Sequence, residues 1–356
     1  MNANSFGRFL TITTFGESHG EAVGVIMDGL PPGMEISEEE VQKEMDRRRP
    51  GQSDLTTPRK EADEISFLSG VFEGKTTGAP MAMMLRNSNT RSSDYGDIVD
   101  RFRPGHADFS YLQKYGLRDW RGSGRASGRE TAARVAAGAV ARKWLALKGV
   151  EILAWVKAAA GIECESFDAR VIEQNPMRAC DPEAAQRMAG RVRRLIEEGD
   201  SAGGIIECRV KGVPPGLGDP AFEKLEANLG KAMLSIGAVR GFEVGAGFAA
   251  AGMRGSEHND EMDARGFLSN NAGGIIGGIS TGQDITFRAA VKPTSSISRP
   301  QTTRNLTGET VEIRTEGRHD PIICPRIVPV VEGMTALVLM DHWLAQRALR
   351  DQSIRL

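Results

Sequence analysis

A five-residue turn occurs twice in this 356-residue chain: Gly29-Leu30-Pro31-Pro32-Gly33 returns 183 residues later as Gly212-Val213-Pro214-Pro215-Gly216. Pro-Pro-Gly is good turn chemistry anywhere, because proline presets φ and glycine accepts positive φ. The constraint comes from the flanks, which repeat as well. Each turn follows a β-like run (23–27 and 205–210) and precedes a helical pattern (37–48 and 220–235). Glycine-punctuated β-like sequence then follows in both halves, at 65–85 and 242–291. Length alone suggests two domains. The repeat instead predicts one pseudo-symmetric body spanning 1–356, with halves of roughly 1–180 and 181–356. Helices and strands do not alternate regularly, so α+β layering is expected over a doubly wound parallel sheet.

Helix boundaries are well signed. Ser37-Glu38-Glu39-Glu40 reads as a capping box, with Val41 and Met45 on one face and Arg47 and Arg48 in the last turn. Pro50-Gly51 ends that helix. Ser127-Gly128-Arg129-Glu130 reads as a second capping box, opening an Ala-rich helix to about Lys148. Asp219-Pro220 is expected to open a third helix with proline at its first position. Two more are expected at 182–197 and 340–350.

Composition limits the function classes. A net charge of −2 gives no global attraction to nucleic acid, and aromatic residues at 6% leave little for base stacking. An RNA-binding role resting on Arg47-Arg48-Arg49 is therefore weak. Cys164, Cys180, Cys208 and Cys324 lack C-x-x-C spacing, which points to free thiols of a reducing compartment and no metal site. Residues 1–10 lack a signal pattern, and no stretch reads as a membrane span. A cytoplasmic protein with no nucleic-acid or membrane partner is expected.

The chemistry gathers in polar islands. His19 lies in Gly16-Glu17-Ser18-His19-Gly20, and His106 in Arg103-Pro104-Gly105-His106-Ala107-Asp108. Glycine lets backbone approach a ligand closely, and histidine exchanges protons near neutral pH. Nearby arginines favour phosphate or carboxylate. In Arg121-Gly122-Ser123-Gly124-Arg125-Ala126-Ser127-Gly128-Arg129-Glu130, a glycine-rich loop runs into a helix N-terminus, where an anion is welcome. It is not a Walker A loop. The glycine-dense run 270–282 lacks the context of a dinucleotide fingerprint. Lys292-Pro293-Thr294-Ser295-Ser296 offers one cation and three hydroxyls, a second phosphate cradle or a sheet turn. Arg318-His319-Asp320-Pro321 sets a cation two residues from a carboxylate, with Asp320 able to relay a proton. His258 and His342 read as surface or structural residues. The islands suit an acid–base enzyme for an anionic small molecule; a non-catalytic anion binder is the alternative.

Taken together, these islands resemble the chorismate synthase family. The resemblance runs from about 6 to 344 and includes Asp46-Arg47-Arg48-Arg49-Pro50-Gly51, Gly124-Arg125-Ala126-Ser127-Gly128-Arg129-Glu130-Thr131-Ala132 and 273–280, besides the histidine, Lys292 and Arg318 motifs. It implies a homotetrameric lyase acting on a carbon–oxygen bond to phosphate, built as a layered β-α-β sandwich. The implied reaction is the 1,4-anti elimination of phosphate from 5-enolpyruvylshikimate 3-phosphate, giving chorismate. Reduced FMN is required without net redox change.

By motif matching, His19 would protonate the departing phosphate, with Ser18 beside it. His106 would protonate or stabilise the reduced flavin, and Asp320 would assist removal of the ring proton through the flavin N5. Ser18, Arg48, Arg49, Arg103, Ser127, Arg129 and Arg318 would hold the substrate, where arginine forks suit planar anions. Arg125, Ala126, Ser127, Gly237, Ala238, Gly277, Lys292, Pro293, Thr294, Ser295, Ser296 and Arg318 would line the flavin site. Ser53-Asp54-Leu55 departs from some bacterial members, which carry a basic residue linked with NADPH contact. NADPH is therefore expected only as an indirect reductant, through an external flavin reductase. The loops 47–58 and 300–315 are expected to close over the site.

Overall fold

The strands that precede the two Pro-Pro-Gly turns, Ala22–Asp28 and Gly204–Lys211, are the middle strands of two five-stranded antiparallel sheets. The structure, a computed structural model, describes residues 3–56, 63–87, 99–315 and 319–349. In the first sheet the order is Ser5–Phe6, Thr11–Gly16, Ala22–Asp28, Met81–Arg86 and Ile65–Phe67. The second sheet runs Ile162–Glu163, Glu151–Ala159, Gly204–Lys211, Ile285–Val291 and Val239–Val244. Both sheets therefore have one order about the repeated turn. The next strand in the chain takes the far edge, and the one after it fills the gap.

Alternation decides which face is buried. Val23, Val25 and Met27 pair with Leu85, Met83 and Met81, and all six side chains are fully buried. Ile206, Cys208 and Val210 pair with Ala289, Phe287 and Ile285 in the second sheet, again on the inner face.

Between the sheets lie Glu38–Arg48, Thr131–Ala146, Leu225–Leu234 and Cys324–Leu349. Thr131–Ala146 packs on the first sheet, Cys324–Leu349 on the second, and the two helices pack on each other. The result is the α+β, β-α-β sandwich of two pseudo-symmetric halves. The helix crossing is unusually close: a Cβ at Gly138 would overlap the Gly333 backbone. Further along, Trp144 meets Trp343 edge to face with ring centroids 5.8 Å apart. The helices therefore run in the same direction and present their N-terminal ends to the same side.

Several boundaries differ from the sequence expectation. The Ser37 capping box and the Asp181-capped helix Pro182–Glu197 form as expected. The Ser127 hydroxyl does accept from Arg129 N–H, but only a 3-10 turn follows, and the helix begins at Thr131. Glu130 does not close a capping box, because its carboxylate takes Thr14 and Arg134 instead. The helix expected from Pro220 starts at Leu225. Asp219 instead pairs with Arg8 at 3.1 Å.

The last helix starts at Cys324, sixteen residues before the expected Met340. Pro329 sits inside it and cannot donate to the Pro325 carbonyl. That carbonyl accepts from buried Arg178 at 2.6 Å, so the lost bond is replaced from outside the helix. Contrary to the expected absence of span-length apolar sequence, this 26-residue helix is long and apolar enough to cross a membrane; 89% of its apolar stretch is buried between the sheets.

Gly138→Leu should force the two central helices apart. Overpacking of this kind typically costs about 1–3 kcal/mol, so the urea midpoint should fall with the m-value unchanged.

Candidate active site

The N-terminal halves of the two central helices open onto a cavity of about 840 Å³, a size suited to small molecules. Its charge is one-sided. Arg48, Arg103, Arg125, Arg129, Arg134, Lys231, Arg240, Lys292 and Arg326 line it, against Glu130 and Asp320. Two helix dipoles add their positive ends to the same space. A net-acidic chain has thus gathered nine of its 45 lysines and arginines around one cavity.

Buried carboxylates hold the arginines in position. Asp63 is fully buried between two of them: Arg48 Nη1 donates to Oδ2 at 2.8 Å, and Arg129 Nη1 donates to Oδ1. Burial alone would raise the Asp63 pKa, but the two guanidiniums hold it below the usual carboxylate range. Burial also lowers Arg48 to about 10, against the opposing pull of Asp63. Arg48 further donates to the Gly128 carbonyl at 2.6 Å, joining the 46–51 motif to the 124–132 motif. Asp108 grips Arg103 by Nε at 2.9 Å and Nη2 at 2.8 Å. The planar fork fixes the guanidinium's orientation.

His106 lines the cavity, half-buried. Its Nδ1 lies 3.2 Å from the Pro104 carbonyl, which can only accept, so Nδ1 carries the proton. Nε2 then accepts from the Ser296 hydroxyl at 3.0 Å. Burial, followed by the nearby Arg103, lowers its pKa to about 4. His106 is thus neutral at pH 7, and an anion bound beside it would draw the pKa back up. Its partners bring the 103–108 and 292–296 motifs together, since Ser295 also donates to the Gly105 carbonyl at 3.0 Å. Lys292 Nζ in turn contacts Ser295 Oγ.

His19 lies behind the wall formed by Gly122 and does not itself line the cavity. The buried Ser18 hydroxyl donates to the Gly122 carbonyl at 3.0 Å, so His19 Nδ1, 3.2 Å away, donates to Ser18 Oγ. A Cβ at Gly122 would strike the imidazole, and φ there is +69°. Only glycine lets the loop pass so close to the ring.

The remaining candidates divide. Arg125, Ala126, Ser127, Gly237, Ala238, Thr294, Ser296 and Asp320 all line the cavity. Asp320 is held by Arg326 Nη1, and Arg326 Nε donates to the Arg48 carbonyl at 3.2 Å. Arg49, Gly277 and Pro293 do not line it: all three are exposed, and Arg49 faces Asp46 at 3.9 Å. Arg318 lies outside the described residues, as does Pro58 at the end of the first expected closing loop. In the second such loop, Gln301–Arg304 and Thr310–Ile313 pair as a hairpin. His342 is buried, not on the surface, with Nε2 3.0 Å from Asn228 Nδ2. Sequence reasoning missed Arg134, Lys231, Arg240 and Arg326, which stand singly in unrelated elements, and the anchoring roles of Asp63 and Asp108.

Fold and cavity together give a pocket of small-molecule size in a two-sheet sandwich, its lining rich in cations and including His106 and Asp320. Residues 10–344 match the model of the chorismate synthase family. Chorismate synthase of Syntrophobacter fumaroxidans is 55% identical, covering 97% of this chain and 98% of that protein. The Methanosarcina mazei chorismate synthase is 56% identical over 99% and 100% of the two chains. That of Opitutus terrae is 52% identical over 97% and 98%. A crystal structure of chorismate synthase, 32% identical, superposes with a TM-score of 0.75 over 96% of this chain and 93% of the other. The chain belongs to the chorismate synthase family.

Asp63→Ala leaves Arg48 and Arg129 as uncompensated buried charges and should cost about 3–5 kcal/mol in denaturant unfolding. His106 predicts a pH effect on ligand-free protein. Its folded pKa is about 4, below an unfolded value of about 6.5, so the unfolded state binds the extra proton between the two. Its contribution is present above pH 6.5 and lost as pH falls towards 4, by up to about 3 kcal/mol. His106→Gln should flatten that part of the stability profile.

Proposed function

We propose that this enzyme eliminates phosphate from 5-enolpyruvylshikimate 3-phosphate in the 1,4-anti sense, giving chorismate in the last step of the shikimate pathway. The supporting observation is the cavity itself, where nine cations meet two carboxylates. That excess suits a substrate with two carboxylates and one phosphate together with a phosphate-bearing cofactor. It is a carbon–oxygen lyase acting on a phosphate ester.

The residues present fit FMN. Lys292, Thr294, Ser295 and Ser296 line one side with a cation and hydroxyls, and Arg125, Ala126 and Ser127 line another. A Cβ at Gly237 would meet nothing within 4 Å, so that backbone is open to a planar ring. When bound in its reduced form, the flavin supplies a transient electron that eases phosphate departure without net redox change. Pro293 and Gly277 belong to this set by family motif alone, as does Arg318.

The protein's own groups do the proton work. His19, its ring oriented by Ser18, gives a proton to the departing phosphate, once the loop at Gly122 admits it to the site. His106 receives a proton as negative charge gathers beside it. Asp320 assists loss of the ring proton while Arg326 holds the carboxylate. Arg48, Arg103 and Arg129 bind the substrate anions, with Arg49, Arg318, Ser18 and Ser127 as further contacts. Carboxylate anchors keep the first three arginines from reorganising during the reaction.

An external flavin reductase supplies reduced FMN, with NADPH acting only indirectly. Asp54 supports this, since it puts an acid on the surface and pairs with Arg193 at 2.8 Å. We further propose a cytoplasmic homotetramer of one-domain chains. Buried free cysteines suit a reducing compartment, and Phe222 and Phe248, 94% and 84% exposed, suit cover by partner copies.

Anaerobic assay with 5-enolpyruvylshikimate 3-phosphate and photoreduced FMN should yield chorismate by absorbance. His19→Ala and His106→Ala should each lower turnover about 10²–10⁴-fold with substrate affinity largely kept. Tight flavin binding without turnover would instead support a non-catalytic binder. NADPH with oxidised FMN in air should give no turnover until a reductase is added.

A further inference from the structure

Three residues in succession, Gly122, Ser123 and Gly124, hold left-handed backbone, with φ of +69°, +72° and +51°. Glycine accepts that region freely, but a β-carbon in it crowds the neighbouring peptide, so the middle residue is strained. A side-chain hydrogen bond holds it there. The Ser123 hydroxyl accepts from Arg103 Nη2 at 2.6 Å, and both residues line the cavity. Which hydrogen of Arg103 it takes follows from the other bonds. A guanidinium offers five hydrogens in a fixed plane. Asp108 occupies the edge formed by Nε and Nη2, at 2.9 and 2.8 Å. The hydrogen left on Nη2 is the one that faces Nη1, and Ser123 holds it. Nη1 has no hydrogen-bond partner among the described residues. The Nη1–Nη2 edge is therefore the one left for a bidentate grip on a carboxylate or phosphate. An anion seated there displaces the Ser123 hydroxyl.

We propose that Ser123 is a positioning residue for the reaction proposed above, on which this inference rests for the roles of Arg103 and His19. Its hydroxyl stands in for a substrate oxygen on Arg103 and latches the 122–124 turn against His19 until the substrate anion replaces it.

The link from latch to histidine is short. Gly122, the residue before Ser123, packs its backbone on the His19 ring. Its carbonyl accepts from Ser18 Oγ at 3.0 Å, and His19 Nδ1 lies 3.2 Å from the same Ser18 oxygen. Arg103 is gripped by Asp108 through Nε, Nη2 and its own backbone N–H, so it stays in place when the hydroxyl leaves. The turn is the part that moves, because the bond opposing the strain at Ser123 is then gone. His19 is thereby uncovered when an anion has arrived to receive its proton, and water is kept from the ring until then.

The test titrates 5-enolpyruvylshikimate 3-phosphate, and separately inorganic phosphate, into full-length protein with FMN present, and reads affinity by calorimetry. Ser123→Ala keeps the β-carbon and drops the bond, so both anions should bind about fivefold tighter, the equivalent of one ordinary net hydrogen bond. Ser123→Gly drops the strain as well, and should tighten binding less than alanine does. In wild type, phosphate should speed hydrogen exchange of the 121–127 peptide, where Ala126 N–H donates to the Ser123 carbonyl at 2.9 Å. The peptide carrying Ser18 and His19 should follow it. A serine that contacted substrate directly, or only shaped the loop, would give weaker binding in both variants, and that result overturns the proposal. Unchanged or slower exchange of the two peptides with phosphate overturns it as well, and this wild-type measurement decides even where a variant fails to fold. Failure of the proposed reaction shows separately: the phosphate responses then persist, and the latch stands, in a protein that makes no chorismate.

Discussion

The close crossing of Thr131–Ala146 and Cys324–Leu349 at Gly138 and Gly333 sets the dimensions of the whole molecule. Each helix carries one sheet, so the distance between the helices fixes the distance between the sheets. Glycine at both positions permits the approach, because neither carries a Cβ into the contact. Because the helices run in the same direction, their positive ends meet on one side, where an anion is most favoured. The cavity lies where the geometry of the core places it.

Beside that crossing lies a second layer of constraint. Glu332 is 1% exposed and accepts from Arg47 at 2.5 Å, from Arg142 at 3.0 Å and from the Ala154 backbone at 2.9 Å. One carboxylate thus joins both central helices, the first short helix and the second sheet. Desolvation disfavours such a charge unless donors replace the lost water, and here three donors do so. Asp341 does comparable work at the far end, taking the N–H groups of Arg8, Phe9 and Leu10 on one oxygen. Asp63 and Asp108 repeat the device at the site. In all four places a buried acid fixes its partners, across long stretches of chain for Glu332, Asp341 and Asp63, and within its own motif for Asp108.

Part of this was legible in the residues. The doubled Pro-Pro-Gly turn announced two related halves, because its flanking periodicities belong to local backbone geometry; the common strand order of the two sheets appears only in the structure. Most of the matched motif residues do face the cavity, since glycine-bracketed polar islands mark close backbone approach wherever they occur. The first half of the last helix was hidden, since only 340–350 was expected to be helical and Pro325 and Pro329 carry no helical signal. A breaking proline is tolerated there only because Arg178, 147 residues earlier, takes the orphaned Pro325 carbonyl. Arg134, Lys231, Arg240 and Arg326 were equally hidden, because a lone cation on a helix or strand carries no local sign of where its head group points.

The sequence by itself determined the family, the two-half architecture and the motif residues, because those depend on turn chemistry, periodicity and short-range pattern. Tertiary structure alone decided which charges meet. Asp63 stands between Arg48 and Arg129, His106 loses its proton beside Arg103, and His19 packs against Gly122. Electrostatic and steric effects act through distance in space, and residues far apart in the chain come within that distance only when the sandwich closes.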